Sequence, residues 1–188
     1  MTLLDVLVPT YMQMLRALSG WLAKADAQMP GNGTKTLLSA RLAPDMFPLS
    51  TQIRFACVQA QEGVFRLQGR ALPASIDVLL NEARNATEHP GSIGDAQARI
   101  SETLSVVETV ASAPVDVDPE TPIAHALPTG MVFDLTAEQY ARDWALPQFY
   151  FHVMISYAIL RGEGVDLGKA DYVAHMFAYL RPGTMPSP

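Results

Sequence analysis

A chain of 188 residues in which 49% of the side chains are hydrophobic is long enough to bury a core without disulfides. Its 13 Lys and Arg side chains against 19 Asp and Glu give a net charge of −6, without a basic cluster, which argues against nucleic-acid binding. The single cysteine, Cys57, excludes an internal disulfide, and no apolar run approaches the roughly 20 residues that span a bilayer. Because the N-terminus carries Asp5 and no basic region, we also expect no signal peptide. We therefore predict one cytoplasmic domain over residues 1–181, with no nucleic-acid or membrane partner.

Four stretches have the apolar periodicity of packed helices, and they predict long helices near 3–28, 48–69, 92–112 and 136–162. Pro9 either begins the main part of the first helix or kinks it. Residues 30–47 are predicted to form a long connection, and residues 73–84 a short helix. The pattern as a whole is typical of an all-α four-helix bundle.

Local signals fix several boundaries. Ser92 with Asp95, and Thr136 with Gln139, have the spacing of capping boxes at the starts of the third and fourth long helices. Residues 113–135 are predicted to hold at most a two-stranded element. A turn at 164–172, a short apolar helix ending near residue 180 and a disordered tail at 182–188 complete the predicted chain.

The stretch 147–160 stands out because it is apolar except for three polar residues at four-residue spacing: Gln148, His152 and Ser156. On a helix they form one stripe, and a buried polar stripe needs partners or water. We therefore predict that the stripe faces either a pocket or another helix. Pro147 is predicted to bend this helix.

His152 is the candidate acid–base group or sole imidazole ligand, although a lone histidine on a buried helix is more often a hydrogen-bonded core residue than a catalyst. The candidate substrate-binding residues are Gln52, Gln148, Ser156, Trp144 and Asp45. Asp45 has an alternative role as a helix cap, and the hydroxyl of Ser156 has an alternative bond to the carbonyl of His152. Cys57 is expected to be an inert buried thiol.

Three segments resemble an uncharacterised bacterial family allied to the DinB/YfiT-like helical bundles. They are Ala145-Leu-Pro-Gln-Phe-Tyr-Phe-His152, Tyr157-Ala-Ile-Leu-Arg161 and Gly164-Val-Asp-Leu-Gly-Lys-Ala-Asp-Tyr172. The segment Arg41-Leu-Ala-Pro-Asp-Met-Phe-Pro-Leu49 is similar to that family as well. The resemblance implies an up-down-down-up four-helix bundle with a long crossover, a short C-terminal helix and assembly as a homodimer. Many such relatives are metal-binding proteins or thiol-dependent transferases.

In those relatives the metal lies on three histidines, one from the second helix and a His-x-x-x-His pair on the last bundle helix. His152 matches the first histidine of the pair, but Ser156 occupies the second position. The second helix has no histidine, so that Gln52 and Cys57 are its nearest polar candidates. His89 and His125 are predicted to lie in proline-rich loops, and His175 on the C-terminal segment. With one inherited ligand, we predict no metal and no other cofactor.

Two functional hypotheses follow. The first is a small-molecule-binding pocket around His152 in the bundle core, in a protein that lacks a complete three-histidine metal site, whether catalytic or a purely binding module. The alternative is a metal-dependent or thiol-dependent transferase or hydrolase of the DinB/YfiT-like type that uses His152. The sequence leaves enzymatic activity, the ligand and the reaction open.

Overall fold

Helices dominate the computed structural model, which describes residues 1–29, 32–113 and 115–184. The helices are α1 (Leu3–Gln28), α2 (Asn32–Ser39), α3 (Leu49–Leu67), α4 (Ala74–Asn85), α5 (Ile93–Ala111), α6 (Ala137–Gln139), α7 (Leu146–Gly162) and α8 (Lys169–Tyr172). Two strands, β1 (Pro122–Ala126) and β2 (Val132–Thr136), precede α6. A π-helical segment, Tyr140–Ala145, joins α6 to α7, and a 3₁₀ helix, Ala174–Tyr179, follows α8.

The four predicted long helices are present, and side-chain caps set the starts of three of them, α1, α5 and the helical rod that begins with α6. At α5 the backbone N–H of Asp95 donates to Ser92 Oγ at 3.1 Å, and the N–H of Ser92 donates to the Asp95 carboxylate at 2.8 Å. Thr136 and Gln139 form the same reciprocal pair at α6. Each cap satisfies a backbone donor that the helix leaves free and stabilises it by about 1 kcal/mol. Both predicted capping boxes are therefore confirmed.

The hydrophobic core lies around α3, which packs against α4, α5 and α7, while α1 packs against α5 and α7. The largest fully buried side chains include Trp21, Tyr11, Tyr140 and Phe149. The rings of Tyr11 and Phe149 meet edge to face at 4.7 Å between centroids. Because α3 is covered on several sides, polar side chains on it have to find partners inside the protein.

The predicted connection at 30–47 is wrong in part, because it contains α2. Two consecutive leucines, Leu37 and Leu38, are fully buried and anchor this short helix on the core. The short helix predicted at 73–84 is confirmed as α4. An ion-pair cluster holds it, in which the Glu82 carboxylate accepts from Arg54 Nε at 2.9 Å and from the Arg99 guanidinium at 2.6 Å. These two guanidinium groups hold the pKa of Glu82 below its usual value.

The helical rod 137–162 is irregular immediately before Pro147. In the π-helical segment the backbone N–H of Leu146 donates to the carbonyl of Ala141, five residues earlier. Wider turns of this kind relieve the crowding that a proline ring causes in the preceding turn. The rod therefore continues through Pro147, and the predicted bend at that residue stays a prediction.

The two strands form an antiparallel hairpin in which Ile123 faces Leu135 and His125 faces Phe133. The described residues contain these two strands, which agrees with the prediction of at most a two-stranded element. The hairpin lies against the helical rod, since the His125 and Trp144 rings are 4.5 Å apart. It thereby closes one side of the space between α3 and the rod.

The C-terminal segment differs from the single short helix that we predicted, since it consists of α8 followed by a 3₁₀ helix. Asp171 pins it to α1. Its carboxylate accepts from Lys24 Nζ at 2.5 Å, and its carbonyl oxygen accepts from Trp21 Nε1 at 3.2 Å. Of the predicted tail, 182–184 form a turn and 185–188 lie outside the described residues. No helix in the described ranges is long and apolar enough to cross a membrane.

Candidate functional site

A seam of polar and aromatic side chains runs between α3 and the rod 137–162. On α3 the members recur at intervals of three and four residues: Gln52, Phe55, Gln59, Glu62 and Arg66. On the rod they recur every four residues: Trp144, Gln148, His152 and Ser156. These spacings place each set on one helix face, and the two helices pack against each other. We call this region the α3–α7 seam.

At one end of the seam, His152 Nδ1 lies 2.8 Å from Gln52 Oε1. The amide nitrogen of Gln52 donates to the carbonyl of Phe47 at 3.3 Å, which leaves its oxygen to face the imidazole. His152 Nδ1 must therefore carry the proton, so that the neutral ring presents a lone pair at Nε2. Burial lowers the pKa of His152 to about 4, which keeps the ring neutral at physiological pH.

Aromatic side chains surround this imidazole. The ring centroids of Phe55 and Phe151 lie 5.2 Å and 5.3 Å from that of His152. Phe47 packs on Phe55 at 5.6 Å, and Phe47 and Phe151 are 54% and 52% exposed. His152 is itself only 9% exposed. Its Nε2 atom has no hydrogen-bond partner among the described residues, and it is not fully closed to solvent. The lone pair therefore lies at the inner edge of an apolar surface.

The other predicted site residues are not all gathered around His152. Ser156 Oγ donates to the carbonyl of His152 at 2.8 Å, within its own helix. Gln148 is half-buried on the same helix face, and Asp45 is exposed in the turn before Phe47. Asp45 does not cap α3, whose N-cap residue is Pro48 and has no side-chain cap bond. The structure thus joins His152 to Gln52 and leaves Asp45 apart.

Trp144 lies at the other end of the seam, beside His125, and the predicted loop position of this histidine is wrong. His125 belongs to β1 rather than to a proline-rich loop, because the nearby prolines begin the strand and lie beyond it. It is 3% exposed, and neither ring nitrogen has a hydrogen-bond partner in the described chain. Burial lowers the pKa of His125, with a smaller contribution from Arg66. The alternation of Ile123, His125 and Leu127 was the available signal for an inward-facing strand residue.

A wide groove of about 370 Å³ between α1 and the C-terminal segment is a weaker candidate site. Its charged lining residues include Lys24 and Asp171, which pair with each other. These two groups hold the segment in place and are not available to a ligand.

The donor set beside His152 does not fit a transition metal. Within the described ranges, no three His, Cys, Asp or Glu side chains lie close enough together to hold a metal ion. The hydroxyl of Ser156 is directed to a carbonyl of its own helix, and Cys57 is buried, with a pKa that burial raises to about 12. A thiolate at Cys57 is therefore scarce at neutral pH, and the residues around His152 support neither a metal centre nor thiol chemistry.

The fold is similar to that of a DinB-like helical protein. A solved structure of a DinB family member protein from Shewanella denitrificans is 30% identical, with a TM-score of 0.70, over 98% of this chain and 96% of that chain. Residues 3–173 match the family described as a domain of unknown function, DUF1993, and the chain belongs to that family. No curated protein matches it.

Proposed function

We propose that this protein binds a small molecule at His152, through the lone pair of Nε2 and the aromatic surface around it. The observation that carries the proposal is the bond between His152 and Gln52, because it fixes a buried imidazole in one tautomer. Gln52 is in turn oriented by the carbonyl of Phe47. A hydrogen-bond acceptor held in this way is preorganised for a ligand that carries one donor group.

The surroundings favour a neutral ligand with an aromatic or branched apolar body. Phe47, Phe55 and Phe151 offer ring faces and edges, and no charged group pairs with the imidazole among the described residues. A neutral His152 accepts a hydrogen bond but adds no charge. A hydroxyl-bearing aromatic compound is therefore the matching probe chemistry.

The experiment is a phenol titration of the full chain, in which the histidines are labelled with ¹⁵N. The chemical shift of His152 Nε2 is measured at each phenol concentration. We expect a saturable shift, because a hydrogen bond to the lone pair changes the shielding of that nitrogen. Toluene, which has the same apolar body but no donor, should cause a much smaller shift. His89→Leu removes an exposed loop histidine and is the matched control that should leave the titration unchanged.

The proposal fails if Nε2 of His152 does not respond to phenol at concentrations up to about 10 mM, which corresponds to a binding free energy near 3 kcal/mol. It also fails if phenol and toluene perturb the ring equally. His152→Leu removes the observed nitrogen, so binding to that variant is measured by calorimetry instead, and the saturable heat that phenol gives with the native chain should be absent in a variant that remains folded.

The alternative function, a metal-dependent or thiol-dependent transfer or hydrolysis at His152, uses the same imidazole as a ligand or base. Elemental analysis of protein purified without an affinity tag tests its metal-dependent form. One equivalent of metal that is lost in a His152→Leu variant would favour this alternative over simple binding. The homodimer and the cytoplasmic location expected from the sequence stay predictions.

A further inference from the structure

A separate cavity lies at the other end of the α3–α7 seam, enclosed by α3, α4, the hairpin and the rod. Its volume is about 190 Å³, and its lining includes Gln59, Arg66, Arg84, His125 and Trp144. Cavities of about 150 Å³ in other proteins hold a benzene molecule. The space therefore suits a ligand with a single small ring or a short branched chain.

Unpaired polar atoms are concentrated on this cavity. Nine buried side-chain nitrogen or oxygen atoms lack a hydrogen-bond partner in the described chain, and five of them belong to residues that line it. They are Arg66 Nε, Trp144 Nε1, both ring nitrogens of His125 and Gln59 Oε1. Buried polar atoms are normally paired with protein groups or ordered water, so five unpaired atoms on one cavity mark it as a place where a bound molecule finds hydrogen-bond partners.

The charges on the lining favour an anion with a single negative charge. Arg66 is held by Glu62 at 3.3 Å, so this pair is close to neutral, and its Nε–H remains free. Arg84 is exposed at the lining, where no hydrogen bond or ion pair to another described residue engages its guanidinium. The net charge of the lining is therefore near +1. A doubly charged phosphate would meet the Glu62 carboxylate and gain less than a monoanion.

The remaining walls are apolar. Phe55, Val58 and Leu80 line the cavity together with the indole of Trp144. A carboxylate matches the Arg66 and Trp144 donors, while an apolar body matches these walls. The Arg66 and Trp144 donors are not used by the site at His152, whereas Phe55 contributes to both sites.

We propose that this cavity binds a small monocarboxylate with an aromatic or branched apolar body. The carboxylate accepts hydrogen bonds from Arg66 Nε, Trp144 Nε1 and one nitrogen of His125, while Arg84 adds positive charge at the rim. The body lies against Phe55 and Leu80. This binding site is additional to the one proposed at His152 and does not depend on it.

The test is isothermal titration calorimetry of the full chain with sodium benzoate at constant ionic strength. We expect one benzoate per chain, and binding at least about tenfold weaker for benzamide, which has the same shape without the charge. Inorganic phosphate should also bind more weakly than benzoate. Arg66→Gln and His125→Phe should each weaken benzoate binding by at least about tenfold.

Matched variants keep the result interpretable. Arg142→Gln removes an exposed guanidinium of the rod that is paired outside the cavity, and it should leave benzoate binding unchanged. His89→Leu, at an exposed histidine outside the cavity lining, should also leave it unchanged. Arg84→Gln, at an exposed position, tests the charge requirement if Arg66→Gln does not fold, and it should weaken binding about threefold or more.

Three results obtained with the native chain would overturn the proposal. They are the absence of saturable heat up to about 10 mM benzoate, equal affinities for benzoate and benzamide, and tighter binding of phosphate than of benzoate. An effect of Arg142→Gln as large as that of Arg66→Gln or Arg84→Gln would likewise show that the cavity is not the binding site.

Discussion

The two ends of the α3–α7 seam each contain a buried histidine, but the two imidazoles are treated differently by their surroundings. His152 is hydrogen-bonded to Gln52, and its remaining nitrogen lies at the edge of an apolar surface. His125 has less exposed surface and has no partner for either nitrogen among the described residues. Both have lowered pKa values because burial disfavours the charged ring.

This comparison separates a polar group that stabilises the fold from one that the fold tolerates. A paired buried imidazole contributes to stability, and removing it leaves its partner unpaired. An unpaired imidazole costs desolvation free energy, and it is retained in a stable fold only at some expense. A buried polar group without a hydrogen-bond partner is therefore a stronger indication of a ligand than one that is already hydrogen-bonded.

The largest effect that we expect concerns acid and the paired histidine. The pKa of His152 is lowered from 6.5 to about 4 in the folded chain, so below pH 6.5 the unfolded chain binds a proton that the folded chain does not. The stabilisation is complete above pH 6.5 and is lost as the pH falls to about 4, by about 3 kcal/mol. Urea unfolding across this range measures it, and the difference between the native chain and His152→Leu isolates this group from the carboxylates.

The next effect is the loss of the paired histidine itself. His152→Leu should lower the free energy of unfolding by about 1–3 kcal/mol at neutral pH, because Gln52 Oε1 is left buried without its donor. Adding Gln52→Leu should recover part of this loss, since both partners are then apolar. Urea denaturation of the two variants measures the effect, and a double variant less stable than the sum of the single losses would contradict this interpretation of the pair.

The smallest effect is expected at the unpaired histidine. His125→Phe removes two orphaned nitrogens and keeps a ring against Tyr140 and Trp144, so its unfolding free energy should change by less than about 1 kcal/mol. A gain in stability would agree with the comparison. A loss as large as that of His152→Leu would show that His125 has a structural partner, and it would remove the contrast between the two ends.

Much of the helical fold could be predicted from local patterns. The capping boxes at Ser92 and Thr136 set the helix starts because they are short-range hydrogen-bond arrangements. α2 was missed because Leu37 and Leu38 form too short an apolar pattern to indicate a helix, and the helix depends on their burial against the core. Pro147 indicates that the helix is disturbed at this point, but the proline alone does not show that the preceding turn becomes π-helical.

The candidate site was predictable only in part. Four-residue spacing gave one stripe on the last long helix, and the structure shows His152 of that stripe bonded to Gln52. Nothing in the sequence indicates that Trp144, at the same spacing, faces a hairpin instead. The position of His125 depends on the strand pairing that brings it onto the rod, which is a long-range contact.

The attachment of the C-terminal segment to α1 has a consequence for the order of folding. The bond from Trp21 to Asp171 joins residues 150 positions apart, and α1 also packs against α7. On the ribosome, α1 therefore emerges long before the surfaces that cover its apolar face are synthesised. The part of its apolar face that α7 and the C-terminal segment cover, including Trp21, stays uncovered during that interval, although α1 can already pack against α5.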